Sequence, residues 1–177
     1  MNHANQFVDL DKTIHDRGRF DCGEKELNRF LKECAAQHMI KNLSITRVLP
    51  LLQQNDDGKY PICAFYTVAP CSVKRDGFAP QLSKKLPRYP IPAFLLAQLA
   101  VDSTYHGTGM GKLTLTMALK QLWHTNKTMR GYVVIVDCLN NDVVQFYERF
   151  GFEHFRNEQE RIRMYILMRT LDKLFKN

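Results

Sequence analysis

Residues 95–112 read LLAQLAVDSTYHGTGMGK, and the fold turns on how that stretch is understood. An apolar run of strand length passes through small and polar residues into Gly107, Gly109 and Gly111, which open an amphipathic helix. A loop without side chains at a helix start lets several backbone N–H groups approach one anion, and the helix dipole favours negative charge there. The loop is a candidate phosphate cradle, and a tight turn with no ligand is the alternative. It is not a dinucleotide fingerprint, because the glycine spacing differs and no acidic residue ends a following strand at the expected distance. Nor is it a P-loop, since G-x-x-x-x-G-K-[ST] is absent.

Outward from this loop the chain reads as a mixed α/β sheet. Residues 93–101 are nearly all apolar, as a buried central strand requires, and residues 110–124 form a helix expected to bury Leu113, Met117 and Leu122. Upstream, Leu27, Phe30, Leu31, Cys34, Ala35 and His38 recur at helical spacing, and Asp21 with Glu24 predicts a capping box for a helix over 22–39. Residues 44–52 and 62–69 read as strands joined through the turn residues Asn55 to Gly58, a hairpin. Between Pro70 and Pro92 the proline density predicts a loop with one short helix near 80–85. Downstream come a buried strand (132–138), a short helix (141–150) and a last strand (162–167).

At 177 residues the chain is expected to be one domain with its own core. No window approaches the roughly 18–20 apolar residues of a membrane span, and the first residues lack the blocks of a signal peptide, so a cytoplasmic protein without membrane association is expected. Five scattered cysteines without a C-x-x-C pair read as reduced, buried thiols. No two histidines near the segments of interest lie at metal-ligand spacing, and no metal is assigned. The net charge of +7 fits either a soluble basic protein or one that meets a polyanion.

A second segment adds chemistry. Asn140 is followed by a short helix carrying FYERFGF, in which Tyr147 is either a core aromatic or a functional phenol and Gly151 caps the helix. Together the two segments resemble the GNAT superfamily of acetyl-CoA-dependent N-acetyltransferases. Its signature [QR]-x-x-G-x-[GA] aligns with His106, Gly109 and Gly111, and its asparagine and FY-x-x-x-GF pattern aligns with Asn140 and Phe146 to Phe152. His106 replaces the usual Gln or Arg. More narrowly, FDCGEKELNRFL near the N-terminus and LLAQLAVD before the glycines resemble the GNAT toxins of bacterial toxin and antitoxin pairs, with Ala97 and Gln98 in place of Gly and Arg.

The resemblance implies a GNAT fold, a mixed central sheet flanked by helices with a splayed parallel strand pair. It implies that backbone groups of Leu99 and Val101 pair with the pantetheine arm, that one of their amides polarises the thioester oxygen, and that Asn140 contacts the cofactor. His106 and the amides of Gly107, Thr108, Gly109, Met110, Gly111 and Lys112 would hold the pyrophosphate of acetyl-CoA. Tyr147 would protonate the departing thiolate. Glu148, adjacent on the helix, should face away from it. Such toxins acetylate the α-amine of the amino acid on a charged tRNA, blocking translation, and are neutralised by a ribbon-helix-helix antitoxin. A homodimer is a further expectation. Candidate tRNA contacts are Arg29 and Lys32, then Lys74, Arg75, Lys84, Lys85 and Arg88, then Arg149 with Arg156, Arg161 and Arg163. The alternatives are a GNAT enzyme acting on a small-molecule or protein amine, and a degenerate fold kept as an acyl-CoA sensor or DNA-bound corepressor.

Overall fold

The computed structural model describes residues 3–156 and 161–176. Two compact units emerge: Met1–Ala69 with Ala97–Ala118, and Pro70–Leu96 with Leu119–Asn177.

The first unit begins with two short strands that sequence reading missed, β1 (Val8–Asp9) and β2 (His15–Asp16). The expected hairpin follows: β3 (Ile45–Pro50) runs antiparallel to β4 (Tyr60–Val73), with Val48 opposite Phe65, and β1 pairs along the other edge of β3. Asn55 closes the turn through Asn55 N–H to Lys59 O at 2.8 Å. Phe20 meets Phe65 edge-on, with ring centroids 5.3 Å apart, inside a core that includes Leu31, Ala35, Val48 and Ala100.

The helical stretch between β2 and β3 departs from expectation twice. It starts at Lys25 rather than at residue 22, and its N-cap, Glu24, makes no side-chain cap bond. The capping box does not form, because Asp21 Oδ1 is engaged by Gly23 N–H at 2.9 Å and by Asn28 Nδ2 at 2.6 Å. The helix is also not uniform: α1 (Lys25–Arg29) passes through a π-helical turn (Phe30–Cys34) into α2 (Ala35–Ile40). Arg17 Nη1 donates to Lys32 O within that turn at 2.7 Å.

Both strands beside the proline-rich segment are longer than predicted. β4 continues through Pro70 to Val73, and β5 (Ile91–Val101) takes in Pro92. Proline forbids only the N–H side of a ladder, and the carbonyl of Pro92 accepts from Tyr132 N–H at 2.8 Å. The short helix predicted between them is present as α3 (Pro80–Ser83).

In the second unit β5 pairs parallel with β6 (Val133–Cys138) from Ala93 opposite Val133 to Leu95 opposite Ile135. β8 (Ile162–Leu167) runs antiparallel to β6, and a short β7 (Glu153–Phe155) runs antiparallel to β8. Phe78, from the proline-rich segment, is the hub of an aromatic cluster, with centroids 5.0 Å from both Phe155 and Tyr165. The result is a mixed sheet, as the order of elements anticipated, with the parallel pair that the family resemblance implied.

Helix α4 (Met110–Thr125) buries Met110, Leu115, Ala118, Leu119 and Leu122, whereas Leu113, expected inside, is 40 % exposed. The buried stripe starts at Met110, so Leu113 falls outside it. α5 (Asn141–Glu148) ends before residue 150, and α6 (Met168–Phe175) follows β8 without any breaker residue to announce it. Trp123 Nε1 on α4 donates to Asp172 Oδ1 on α6 at 2.8 Å.

Candidate active site

The glycine loop lies wholly in the first unit. Asp102 starts it: its Oδ1 accepts from Thr104 N–H at 3.0 Å, and its own N–H donates to Cys63 O at 2.8 Å. Turn bonds from Tyr105 N–H to Asp102 O and from His106 N–H to Ser103 O carry the chain to the glycines. Gly107 and Gly109 have φ of +73° and +86°, a region that costs a side chain roughly 1–2 kcal/mol. A Cβ added at either would meet nothing within 4 Å, so the space above the loop is open. Helix α4 starts at Met110, and Leu113 N–H to Gly109 O at 3.1 Å is its first turn. Helix geometry therefore leaves the amides of Met110, Gly111 and Lys112 without intrahelical acceptors. An open, exposed loop feeding a helix N-terminus fits a diphosphate.

His106 behaves differently from the glutamine or arginine whose place it takes. Its Nε2 donates to Val101 O at 2.8 Å, closing the loop back onto the end of β5. One carbonyl expected to face the pantetheine arm is thus already engaged. Leu99 is half-buried on the same strand, and Thr108 turns its hydroxyl to Tyr105 O at 2.7 Å.

In the second unit Asn140 is the N-cap of α5, its Oδ1 accepting from Val143 N–H at 3.0 Å. Asn140 therefore shapes the helix start, whatever else it touches. Tyr147, on the inner face of α5, is 6 % exposed, and its ring packs 5.0 Å from that of Phe152. Gly151, with φ of +82°, turns the chain so that Phe152 N–H returns to Tyr147 O at 3.2 Å. Burial, and then the nearby Cys138 thiol, push the phenol of Tyr147 well above its ordinary range. Burial likewise raises Cys138, to about 11. Glu148 is exposed and hydrogen-bonds His154 at 3.1 Å, away from Tyr147's buried face.

The proposed cationic contacts differ in exposure and in the bonds they make. Arg29, Lys74, Lys84, Lys85, Arg88, Arg149 and Arg156 are exposed, as is Arg161, while Lys32 is half-buried. Arg75 reaches Leu86 O at 3.3 Å and Asp76 at 3.3 Å, which holds it against its own segment. Arg163 is no surface cation: it grips Asp137 with two bonds of 2.7 and 2.8 Å, the pair sitting opposite each other on β6 and β8. The mutual alternation of two strands cannot be aligned from sequence until their register is known.

Residues 71–154 match the acetyltransferase (GNAT) domain family. The chain carries a GNAT acetyltransferase domain over that stretch. This makes it an acetyl-CoA-dependent N-acetyltransferase domain, with the fold that the sequence resemblance implied. It is similar over nearly its whole length to the GNAT toxins. A probable toxin TacT of Sinorhizobium fredii is 25 % identical over 173 residues, covering 93 % of this chain and 92 % of that one. A tyrosine-to-phenylalanine mutant of KacT superposes with a TM-score of 0.82 at 26 % identity, covering 91 % and 92 % of the two chains. AtaT complexed with acetyl-methionyl-tRNAfMet superposes with a TM-score of 0.85 at 23 % identity, covering 96 % and 98 %. Other AtaT structures hold acetyl-CoA or the C-terminus of the antitoxin AtaR. Among the described residues no helix is long and apolar enough to cross a membrane.

Proposed function

We propose that this GNAT enzyme is a toxin that acetylates the α-amine of the amino acid on a charged tRNA in the cytoplasm, and that a cognate antitoxin neutralises it. The observation carrying this reading is the continuity of its likeness to GNAT toxins, which takes in the N-terminal helices as well as the acetyltransferase domain. AtaT with its acetylated methionyl-tRNA supports the acceptor class, and the AtaR complexes support an antitoxin. A ribbon-helix-helix antitoxin, with a tail that folds over the exposed cations, completes the proposal. A homodimer is also proposed.

Acetyl-CoA brings an activated thioester. The chain's own residues do the rest. The amides of Gly107, Gly109, Met110, Gly111 and Lys112 would hold the diphosphate, Thr108 N–H being turned to Tyr105 O at 3.4 Å, and the backbone of Leu99 and Val101 would align the arm. Tyr147 supplies a proton to the leaving sulfur. A phenol is protonated at neutral pH even at its ordinary value of about 10, and burial raises Tyr147 further, so the donor form is the one present. The acceptor must arrive as a neutral amine. A free α-amine, with a pKa of about 7.7–8.0, offers an appreciable neutral fraction, whereas a lysine amine near about 10.4 is almost wholly charged. No base is required of the protein for the first.

Exposed Arg29, Lys74, Lys84, Lys85, Arg88 and Arg149, and half-buried Lys32, would supply phosphate contacts. Turnover should therefore fall steeply with added salt. Radiolabelled acetyl-CoA incubated with a pool of charged tRNAs tests the function directly. Label on an aminoacyl ester is expected. Label carried instead by a polyamine or a protein would transfer the chemistry to a small-molecule or protein amine and overturn the tRNA reading.

A further inference from the structure

The segment before α1 and the base of the glycine loop are tied together at one residue. Asp21 faces the loop with its main chain: its N–H donates to Asp102 Oδ2 at 3.1 Å and its carbonyl accepts from Ser103 N–H at 2.8 Å. It faces helix α1 with its side chain, where Oδ1 accepts from Asn28 Nδ2 at 2.6 Å. Asn28 is held in turn, its Oδ1 accepting from Cys22 N–H at 3.0 Å and from Cys22 Sγ at 3.1 Å. Phe20 and Cys22, on either side of Asp21, are buried in the core of the same unit. Asp102 therefore connects to rigid structure through Asp21 on one side and through Cys63 O on the other.

We propose that Asp21, Asn28 and Asp102 form a positioning clamp that sets the glycine-loop amides for the diphosphate of acetyl-CoA. The proposal rests on the reading of that loop as the diphosphate cradle. Three arguments support it. The first turn bonds of the loop, from Tyr105 N–H and His106 N–H, end on Asp102 and Ser103, the two residues that Asp21 holds, and the later bonds from Thr108 to Tyr105 O build on them. Asp21 is exposed and Asp102 half-exposed, so burial does not demand these bonds. And amides act on an anion most strongly when their direction is fixed before it arrives.

The hydrogen-bond chemistry gives an unusual pattern of substitutions. Asp21 uses a single carboxylate oxygen as acceptor, for both Gly23 N–H and Asn28 Nδ2, so Asp21→Asn can keep both bonds. Asp102 uses both oxygens, one for Thr104 N–H and one for Asp21 N–H, so Asp102→Asn must lose one acceptor and set two donors against each other. Asp21→Ala and Asn28→Ala remove the link outright.

Calorimetric binding of acetyl-CoA and of acetyl-pantetheine, which lacks the diphosphate, reads the result. Asp21→Ala, Asn28→Ala and Asp102→Asn should weaken acetyl-CoA roughly tenfold, the scale of losing a hydrogen bond that involves a charged group, and leave acetyl-pantetheine within about twofold. Asp21→Asn should bind both ligands as the parent does, and it serves as the folded control. Gly109→Val separates the proposal from the reading beneath it. If that variant binds acetyl-CoA normally, the loop is no cradle and the clamp falls with it. If it weakens binding while the three clamp variants do not, the clamp alone is wrong. Equal weakening of both ligands, or an Asp21→Asn variant as impaired as Asp21→Ala, would reduce these residues to general folding and overturn the proposal.

Discussion

In the proposed site the glycine loop would work through backbone amides, most of them on exposed residues, whereas α5 would work through a single phenol that is 6 % exposed. The loop would gain its function by omitting side chains: two glycines with positive φ and open space above them leave the main chain approachable. α5, in the proposed mechanism, would gain its function by enclosing one, with Phe152 and Gly151 closing the helix behind Tyr147. A backbone site tolerates change in its side chains and resists change in its dihedrals. A buried side-chain site does the reverse. The replacement of the usual Gln or Arg by His106, beside an intact FYERFGF, is what that contrast would produce.

The largest effect that could break the contrast belongs to Tyr147. Tyr147→Phe keeps the ring and its packing and removes only the proton donor, so kcat should drop roughly 10²- to 10⁴-fold, the usual worth of a general acid. Acetyl-CoA affinity, measured by calorimetry, should stay within about twofold. An active phenylalanine variant would make Tyr147 a core aromatic. The pH profile sharpens the same point. Because burial raises the phenol, its protonated donor form persists to higher pH, so the alkaline limb of kcat should lie above the ordinary tyrosine value of about 10. Loss of kcat at lower pH, in wild type but not in a chemically independent binding assay, would assign the proton to another group.

Gly109→Val comes next. A β-branched residue at φ of +86° is strained whatever the space around it, and the strain is of the order of 1–2 kcal/mol. If the loop must move to relieve it, acetyl-CoA affinity falls by roughly tenfold while kcat at saturation changes little. A variant whose kcat fell and whose affinity held would place the loop's role in the chemical step and erase the division between the two regions.

Much of this division could be read from sequence, and the rest could not, for reasons that differ by residue. The glycines and FYERFGF are local patterns whose meaning is carried by spacing, and the strand and helix around each were found where expected. Asp21 was legible as a polar residue ahead of a helix, but its partner was misassigned to a capping box. Its actual contacts, Asp102 and Ser103, lie some eighty residues away, beyond the reach of local pattern. Arg163 failed in the same way, since only the register of β6 against β8 sets Asp137 opposite it. The proline-rich segment erred in the other direction. Pro70 and Pro92 were read as breakers, yet each sits within a strand, because a proline costs a strand only its N–H.

His106 carries the smallest and most discriminating prediction. Its ring is committed to Val101 O, so it stiffens the loop rather than reaching outward. If backbone amides bind the diphosphate, His106→Gln should leave acetyl-CoA affinity within about threefold, since one neutral hydrogen bond is worth only about 1 kcal/mol and a glutamine NH₂ can donate in its place. His106→Ala, which can donate nothing, should then be the weaker binder of the two. A Gln variant that binds more than about tenfold tighter would mean that the loop had been missing an outward side-chain contact, and the exposed region would no longer be a purely main-chain site. The order of the two variants decides between those outcomes: alanine below histidine with glutamine level fits a brace at Val101, whereas alanine level with histidine and glutamine far above both fits a lost ligand contact.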